Sequence, residues 1–491
     1  MNAASFAFQW TTREGAPCVL PLNWRAERLT WGLPGGPRQA WLRASLPPQS
    51  AVTAETALEW LRYGVLIAAQ SGPAWWGWVR RVELHTGGLC WSAALDELCS
   101  RAAVQFSQRR AGVNAEGERC LSAWAEDALS RGVYGRKERL LSLGSLTENA
   151  ALRARDAFLA ANAAPQIRVN AAAPAEEPFV ILECQGWWDT LAWVLAPRLS
   201  RPPGFLEPAQ TAQRLGRGSS DAAGAQSFCL AEAAWLSQVG VDGKVMGVCG
   251  DGLRLEVCAD SGGNPGAMLT SAAVPAAQIS GGRWEIRFTL PEPLPLTAGA
   301  HYWLKLSRSG ALDTVNYYQV YREDTNAYPD GQFKLWNGSA WVTQAGGLAD
   351  INFSLELVQP LSQRLALLAG AQWGGPFFRG VEWLTAPGGY APLWKAAEQT
   401  CLDEVKDLLA AAGGWTARVS PARVLEVYAP AAREPAPLRA GVNGRLTTLD
   451  GRELPPGEAA LGAALQAGDW PGPCGAVSAL EWTPAGGLCA G

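Results

Sequence analysis

The chain has 491 residues, a pI near 5.6 and a formal net charge of −4 at neutral pH. That balance argues against a dedicated nucleic-acid or anionic-membrane binder, which would carry a basic patch, and no apolar run is long enough for a membrane-spanning helix. With 48% hydrophobic and 18% charged residues, the composition is that of a globular protein with core enough for about two to four domains.

In chain order, the N-terminus MNAASFAFQW lacks a basic stretch followed by an apolar core, so synthesis in a cytoplasm without Sec export is expected. Residues 18–32 and 39–46 read as strands about a GLPGGP turn. TAETALEWLRYG (Thr53–Gly64) reads as a helix capped near Thr53. Residues 65–95 read as hairpins turning at SGP and TGG. Residues 94–108 begin as a short helix and end as a strand. A polar turn at Gly132, Tyr134 and Gly135 precedes the strand RKERLLSL. A helix follows over 147–162 with Ala151, Ala154 and Phe158 on one face, then the strand QIRVNAA. FVILECQGWWDTLAWVLAP (Phe179–Pro197) is a strand and a Trp-bearing turn, and SRPPGFLEPAQTAQR is a Pro-rich linker.

From about Gln210 to Val358 the pattern is a β-sandwich inserted into another domain. GRWEIRFTL, HYWLKLSRSG, NYYQVYRED and the hairpin GQFKLWNGSAWVTQ are short aromatic strands at regular spacing between Gly, Pro, Asn and Asp turns. Scaffold character returns at residue 355. Residues 390–415 predict one amphipathic helix, with Leu393, Ala397, Cys401, Val405 and Leu408 at helical spacing and Gly413–Gly414 at its end. TARVSPARVLEVYAP predicts a hairpin. The Pro/Gly-rich tail carries a weak hairpin signal at GRLTTLDGRELP.

There are 24 Trp against 12 Phe and 9 Tyr. The Trp residues are spread over the whole chain, which favours aromatic cores and subunit contacts over ligand platforms. The 11 Cys contain no CxxC pair, and only His85 and His301 could join them at a metal, so no zinc site is legible in the spacing. Neither histidine stands in a catalytic pattern. GLPGGP and GRGSSDAAG lack the lysine of a phosphate loop. Glu176–Glu177 and Asp403 with Asp407 read as solvated charge, so no catalytic residue is assigned.

Two resemblances rest on these residues. AEDALSRGVYGRKERLLSLG (Ala125–Gly144) is similar to an element of tail-tip and baseplate hub proteins of tailed bacteriophages, matching at Asp127, Ser130, Tyr134, Gly135, Lys137 and Glu138. WWGWVRRVEL resembles the strand of the first hub domain, and the 390–430 region resembles the element that completes a hub's barrel. This likeness covers roughly residues 20–200 and 358–430; the insert and the Trp content depart from it. Within the insert, AQSFCLAEAAWLSQVGV and RWEIRFTLPEPLPLTAGAHYWLKL resemble strands of carbohydrate-binding-like jelly rolls.

The resemblances imply a mainly β fold with α+β elements: hub-type β-barrel domains plus an inserted jelly roll. The implied divisions are 1–110, 111–205, 206–358, 359–440 and a tail at 441–491. They imply a non-enzymatic virion tail protein, self-associating as a trimer around the tail axis and touching other tail proteins or host polysaccharide. Sugars present an apolar face and a rim of hydroxyls, which suits exposed rings beside polar donors. The candidate glycan-binding residues are therefore Trp303, Tyr317, Tyr318, Tyr321, Trp336 and Trp341. No cofactor is expected beyond a structural Ca²⁺ in the jelly roll, for which Asp324, Asp330 and Asp350 are the candidates. The alternatives are an adhesin with no tube role and a surface glycoside-processing enzyme carrying a binding module.

Overall fold

A computed structural model describes residues 6–429, apart from 33, 48, 70–71, 109–118, 174–176, 198–203, 206–210, 370–377, 384–387 and 394–398, together with short strands between 438 and 490. The fold is mainly β, and among the described residues no sheet closes into a barrel. The hub-type barrels expected from the resemblance are therefore open sheets here. Among the described residues, no helix is long and apolar enough to cross a membrane. The chain divides into two compact units, one made of Met1–Pro197, Leu361–Gly388 and Glu398–Gly491, the other of Arg198–Pro360 and Gly389–Ala397.

The first unit is built on an 11-stranded sheet. Its central strand, Phe179–Gln185, runs antiparallel between Gly36–Ser45 and Gly72–Thr86. Residues 167–171, beyond the expected division at 110, also join this sheet, on Leu89–Ala94. Burial alternates along Phe179–Gln185, with Val180, Leu182 and Cys184 inside. Gly77 in the WWGWV run is required by close approach, because a Cβ there would lie 2.2 Å from the carbonyl oxygen of Gln185. Trp31, Trp75, Trp78 and Trp188 are fully buried. Trp31 Nε1 donates to Ala74 O at 3.1 Å and Trp75 Nε1 to Thr30 O at 3.2 Å. All four rings fill core volume, and in Trp31 and Trp75 the one polar atom meets a backbone acceptor, whereas the buried indole N–H groups of Trp78 and Trp188 meet none among the described residues.

A smaller sheet pairs Arg101–Gln108 in parallel with Glu138–Leu146, and the helix Glu148–Asn162, capped by Thr147, packs Ala151 and Leu159 against it. The helix expected at the start of 94–108 does not form; Ala94 ends the strand Leu89–Ala94, residues 95–100 are irregular with bends, and Arg101–Gln108 is strand. The polar turn expected at 132–135 is instead the end of a helix, Ala128–Tyr134. Asp127 caps it, its Oδ1 accepting from Ser130 N at 2.7 Å, and Gly135 ends it at φ 95°.

The motif residues after that helix are buried and paired. Glu138 accepts from Arg101 and Arg136 and from Leu195 N at 2.9 Å. Lys137 donates to the carbonyls of Leu95 and Asp96 and sits 5.1 Å over the Trp193 ring. Burial, then the nearby Arg139, lower the Lys137 ammonium from 10.5 to about 8. A depressed lysine pKa means that the unfolded chain binds more proton between those two values. Stability is therefore expected to rise with pH from about 8 to 10.5. Urea midpoints of wild type and Lys137→Met across that window check this: the rise belongs to the wild type and is lost in the variant.

The predicted helix over 390–415 begins later than expected. Tyr390–Pro392 is a strand on Phe353–Pro360, and the helix is Cys401–Ala411, capped by Thr400. Pro392 favours strand over helix at 390–392, since it disfavours helix at the residue before it and lacks the N–H a helix needs; residues 394–398 lie outside the described residues. Leu393 is buried in the second unit's core, and Ala397 lies outside the described residues. The 416–430 hairpin forms as Thr416–Val419 with Val424–Tyr428. Most of the tail hairpin at 444–455 lies outside the described residues; Leu446–Thr448 pairs with Leu438–Ala440.

The second unit is a two-sheet antiparallel sandwich. One sheet has eight strands, among them Ala234–Met246, Trp284–Leu296, Tyr317–Glu323 and Phe353–Pro360. The other has six: Pro265–Pro275, Gly252–Asp260, His301–Arg308, Ala223–Cys229, Phe333–Trp336 and Trp341–Thr343, in that order. Phe228 and Phe333 from one sheet meet Phe288, Tyr318 and Phe353 from the other in a single core.

Candidate functional site

The candidate site lies on the outer face of the six-stranded sheet. Strand alternation sends Tyr302, Leu304 and Leu306 into the sandwich and Trp303 to the opposite face. There Trp303 packs with Ala225 and Cys258 from the two flanking strands and with Trp341. It is 1% exposed. Its Nε1 donates to Asp260 Oδ1 at 2.7 Å, and Lys334 Nζ lies 5.4 Å over its ring. Lys334 also donates to Asn264 Oδ1 at 3.0 Å and to the Gly263 carbonyl, and Asp260 Oδ2 accepts from Gly263 N at 3.1 Å. The 260–264 turn is thus tied down beside the ring. The Trp303 hydrogen bond is the largest influence holding the Asp260 carboxyl below its usual range, with the Gly263 N–H, His301 and Lys334 adding to it.

Beside this base stand Trp336 and Trp341. They face each other across the Phe333–Trp336/Trp341–Thr343 hairpin, with ring centroids 5.5 Å apart and planes at 60°. Both are part-exposed. The turn between them is rigid: Asn337 Oδ1 accepts from Ser339 N, Ser339 Oγ and Ala340 N at 2.8–3.0 Å, and Gly338 supplies φ 96°. The result is a fixed aromatic pair, one ring of which rests on a buried third ring. Such a surface can stack against a flat apolar ligand face, and it contains no paired nucleophile and base.

The six residues expected to bind glycan therefore separate. Trp303, Trp336 and Trp341 come together, but Trp303 is too buried to touch a ligand. Tyr317, Tyr318 and Tyr321 lie on the other sheet. Tyr318 is core, its hydroxyl donating to Asp251 O at 2.8 Å. Tyr317 and Tyr321 are part-exposed beneath arginines, Arg217 at 5.9 Å and Arg283 at 4.3 Å. Lys334, Asp260 and Asn264 were not singled out in the sequence; the DSGGN turn was the signal that could have pointed to Asp260 and Asn264, and nothing local pointed to Lys334.

The Ca²⁺ candidates do not converge. Asp350 is fully buried, accepting from Gln226 Nε2 at 2.8 Å and Tyr328 N at 3.1 Å. Burial raises its carboxyl pKa, which is the wrong direction for a cation ligand. Asp324 pairs with Arg322 at 3.1 Å. Among the described residues, these three aspartates form no group close enough to share an ion.

No family model matches the chain, and no curated protein matches it. Solved structures give distant similarities. One is a glycoside hydrolase family 43 arabinoxylan arabinofuranohydrolase from Bacillus subtilis in complex with cellotetraose: 11% identity, TM-score 0.15, covering 58% of this chain and 63% of that one. Another is the functional form of the mosquito-larvicidal Cry4Aa toxin from Bacillus thuringiensis: 6% identity, TM-score 0.16, covering 65% of this chain and 57% of that one. The chain spans less than two thirds of either protein, and TM-scores this low carry no argument about it.

Proposed function

We propose that this chain is a structural component of a bacteriophage or phage-like tail tip, assembling as a homo-oligomeric ring, with an inserted sandwich that contacts a host-surface glycan through Trp336 and Trp341. The observation that carries the glycan reading is the part-exposed Trp pair held by a rigid turn and resting on buried Trp303. Holding the rings in place before binding reduces the ordering cost, which suits a recognition surface. The scaffold reading rests on the interruption of the first unit by the second and on the hub-like element around Lys137 and Glu138. Among the described residues that line it, a cleft of about 820 Å³ in the first unit, between Val19 and Pro178, has Glu177 as its one carboxylate. Glycoside hydrolysis generally needs two, so that cleft does not favour the enzyme alternative.

Electron microscopy of the purified full chain tests the assembly: a ring with an axial channel is expected, and a monomer at high concentration overturns the hub reading. A glycan array tests recognition. Trp336→Ala is expected to weaken binding by about 2 kcal/mol, roughly 30-fold, with the fold unchanged by circular dichroism. Binding that survives in the Trp336→Ala/Trp341→Ala double variant would move the site elsewhere. Glycan binding by a strict monomer would favour the adhesin.

A further inference from the structure

The six-residue stretch His85–Cys90 closes a hairpin whose two-residue loop is Gly87–Gly88, both at positive φ (57° and 80°). A Gly-Gly loop of that kind fixes the register. It sets His85 directly opposite Cys90, and Glu83, two residues before His85, projects from the same face. Three ligand-bearing side chains thus meet at one point.

We propose that Glu83, His85 and Cys90 form a binding site for a borderline-soft divalent cation of the Zn²⁺ class, with three protein ligands and an open fourth position. His85 Nε2 lies 3.4 Å from Glu83 Oε2 and 3.6 Å from Cys90 Sγ, and the three ligand atoms lie within 4.8 Å of one another. On a tetrahedral Zn²⁺ with ordinary bond lengths, an imidazole nitrogen stands about 3.4 Å from a carboxylate oxygen and about 3.6 Å from a thiolate sulfur. Both arms match those edges. The donor set of imidazole, carboxylate and thiolate is the one such a cation takes.

The surroundings hold the ligands in place. The His85 ring is stacked on Phe179 at 4.4 Å with planes 13° apart, which fixes its orientation. Arg81 Nη1 lies 3.5 Å from Glu83 Oε1 and leaves Oε2 facing His85. His85 and Glu83 are about one-fifth exposed, so the site is reachable yet partly desolvated. Asn170 stands next in the same cross-strand row, opposite Cys90. Burial raises the Cys90 thiol pKa, so binding transfers its proton to solvent as the metal–sulfur bond forms.

The test is a titration of the reduced, chelator-stripped full chain with Co²⁺, then Zn²⁺. One Co²⁺ per chain is expected, with intense tetrahedral visible bands and a thiolate-to-cobalt charge-transfer band, all bleached by Zn²⁺. Cys90→Ser is expected to abolish the charge-transfer band. Losing an outer-shell partner alone costs about 10–100-fold, so His85→Ala is expected to weaken binding by more than about 100-fold. Charge transfer that persists in Cys90→Ser, or no binding by the wild type, overturns the proposal. If a variant does not fold, alkylation of Cys90 in the wild type decides: Zn²⁺ is expected to protect it, and an unchanged rate overturns the site.

Discussion

Glu404→Ala is expected to destabilise the first unit by about 3–5 kcal/mol. Arg364 and Glu404 sit on the helices Leu361–Ala369 and Cys401–Ala411, each side chain only 4% exposed. They form a bidentate pair, Nε to Oε1 at 2.6 Å and Nη2 to Oε2 at 2.9 Å, and Nη2 also reaches Pro197 O at 3.1 Å. Removing the carboxylate leaves a guanidinium in the core with one backbone acceptor and no counter-charge. The cost comes from that stranded charge, so the double variant Arg364→Met/Glu404→Leu is expected to lose far less, or nothing. Urea unfolding followed by hydrogen exchange in the two helices separates these outcomes. A single-variant loss below about 1 kcal/mol would mean the pair behaves as a solvated one.

Trp303→Ala is expected to cost about 3–5 kcal/mol in the sandwich. The ring fills the space between Ala225, Cys258 and Trp341, and its loss opens a cavity under the aromatic pair. Trp303→Phe keeps most of that volume but removes the Nε1 donor to Asp260. It is expected to cost about 1–2 kcal/mol and to raise the Asp260 pKa toward its ordinary value. The sign follows from Asp260 being depressed in the folded state: its contribution is present above the ordinary carboxylate range and is lost as pH falls through the folded value. Denaturation of wild type and Trp303→Phe at neutral and acid pH is expected to show their difference shrinking in acid. Glycan binding separates support from contact. If Trp303 is only the base, Trp303→Phe keeps binding while Trp336→Ala loses it; equal losses would make Trp303 a contact residue.

Much of the fold was legible because its signals are local. Thr53, Thr147 and the hairpins at 416–430 and 333–343 are encoded by caps, turns and alternation within a few residues. The misreadings arose where one local signal met another. Residues 390–393 carry the start of a helical spacing, but Pro392 disfavours helix there and Phe353–Pro360 supplies a strand partner for Tyr390–Pro392. Residues 128–134 contain a mid-helix Gly132 that reads as a turn, yet the Asp127 cap and the Gly135 terminus hold them helical.

The sequence by itself determined the mainly β class and the alternating faces of the sandwich strands, because side-chain direction in a strand has a period of two and turn chemistry is short-range. Only the tertiary structure decided which face is covered. Tyr317 and Tyr318 alternate whatever the fold, but it is the second sheet that makes Tyr318 core. Trp303 points away from that core and is still buried, because the 260–264 turn and Lys334 fold against it from elsewhere in the chain. Glu83, His85 and Cys90 are the local exception: the TGG turn was legible, and the register of its two-glycine hairpin brings them together within eight residues. Burial and convergence are properties of pairs of distant segments, and no window along one strand contains them.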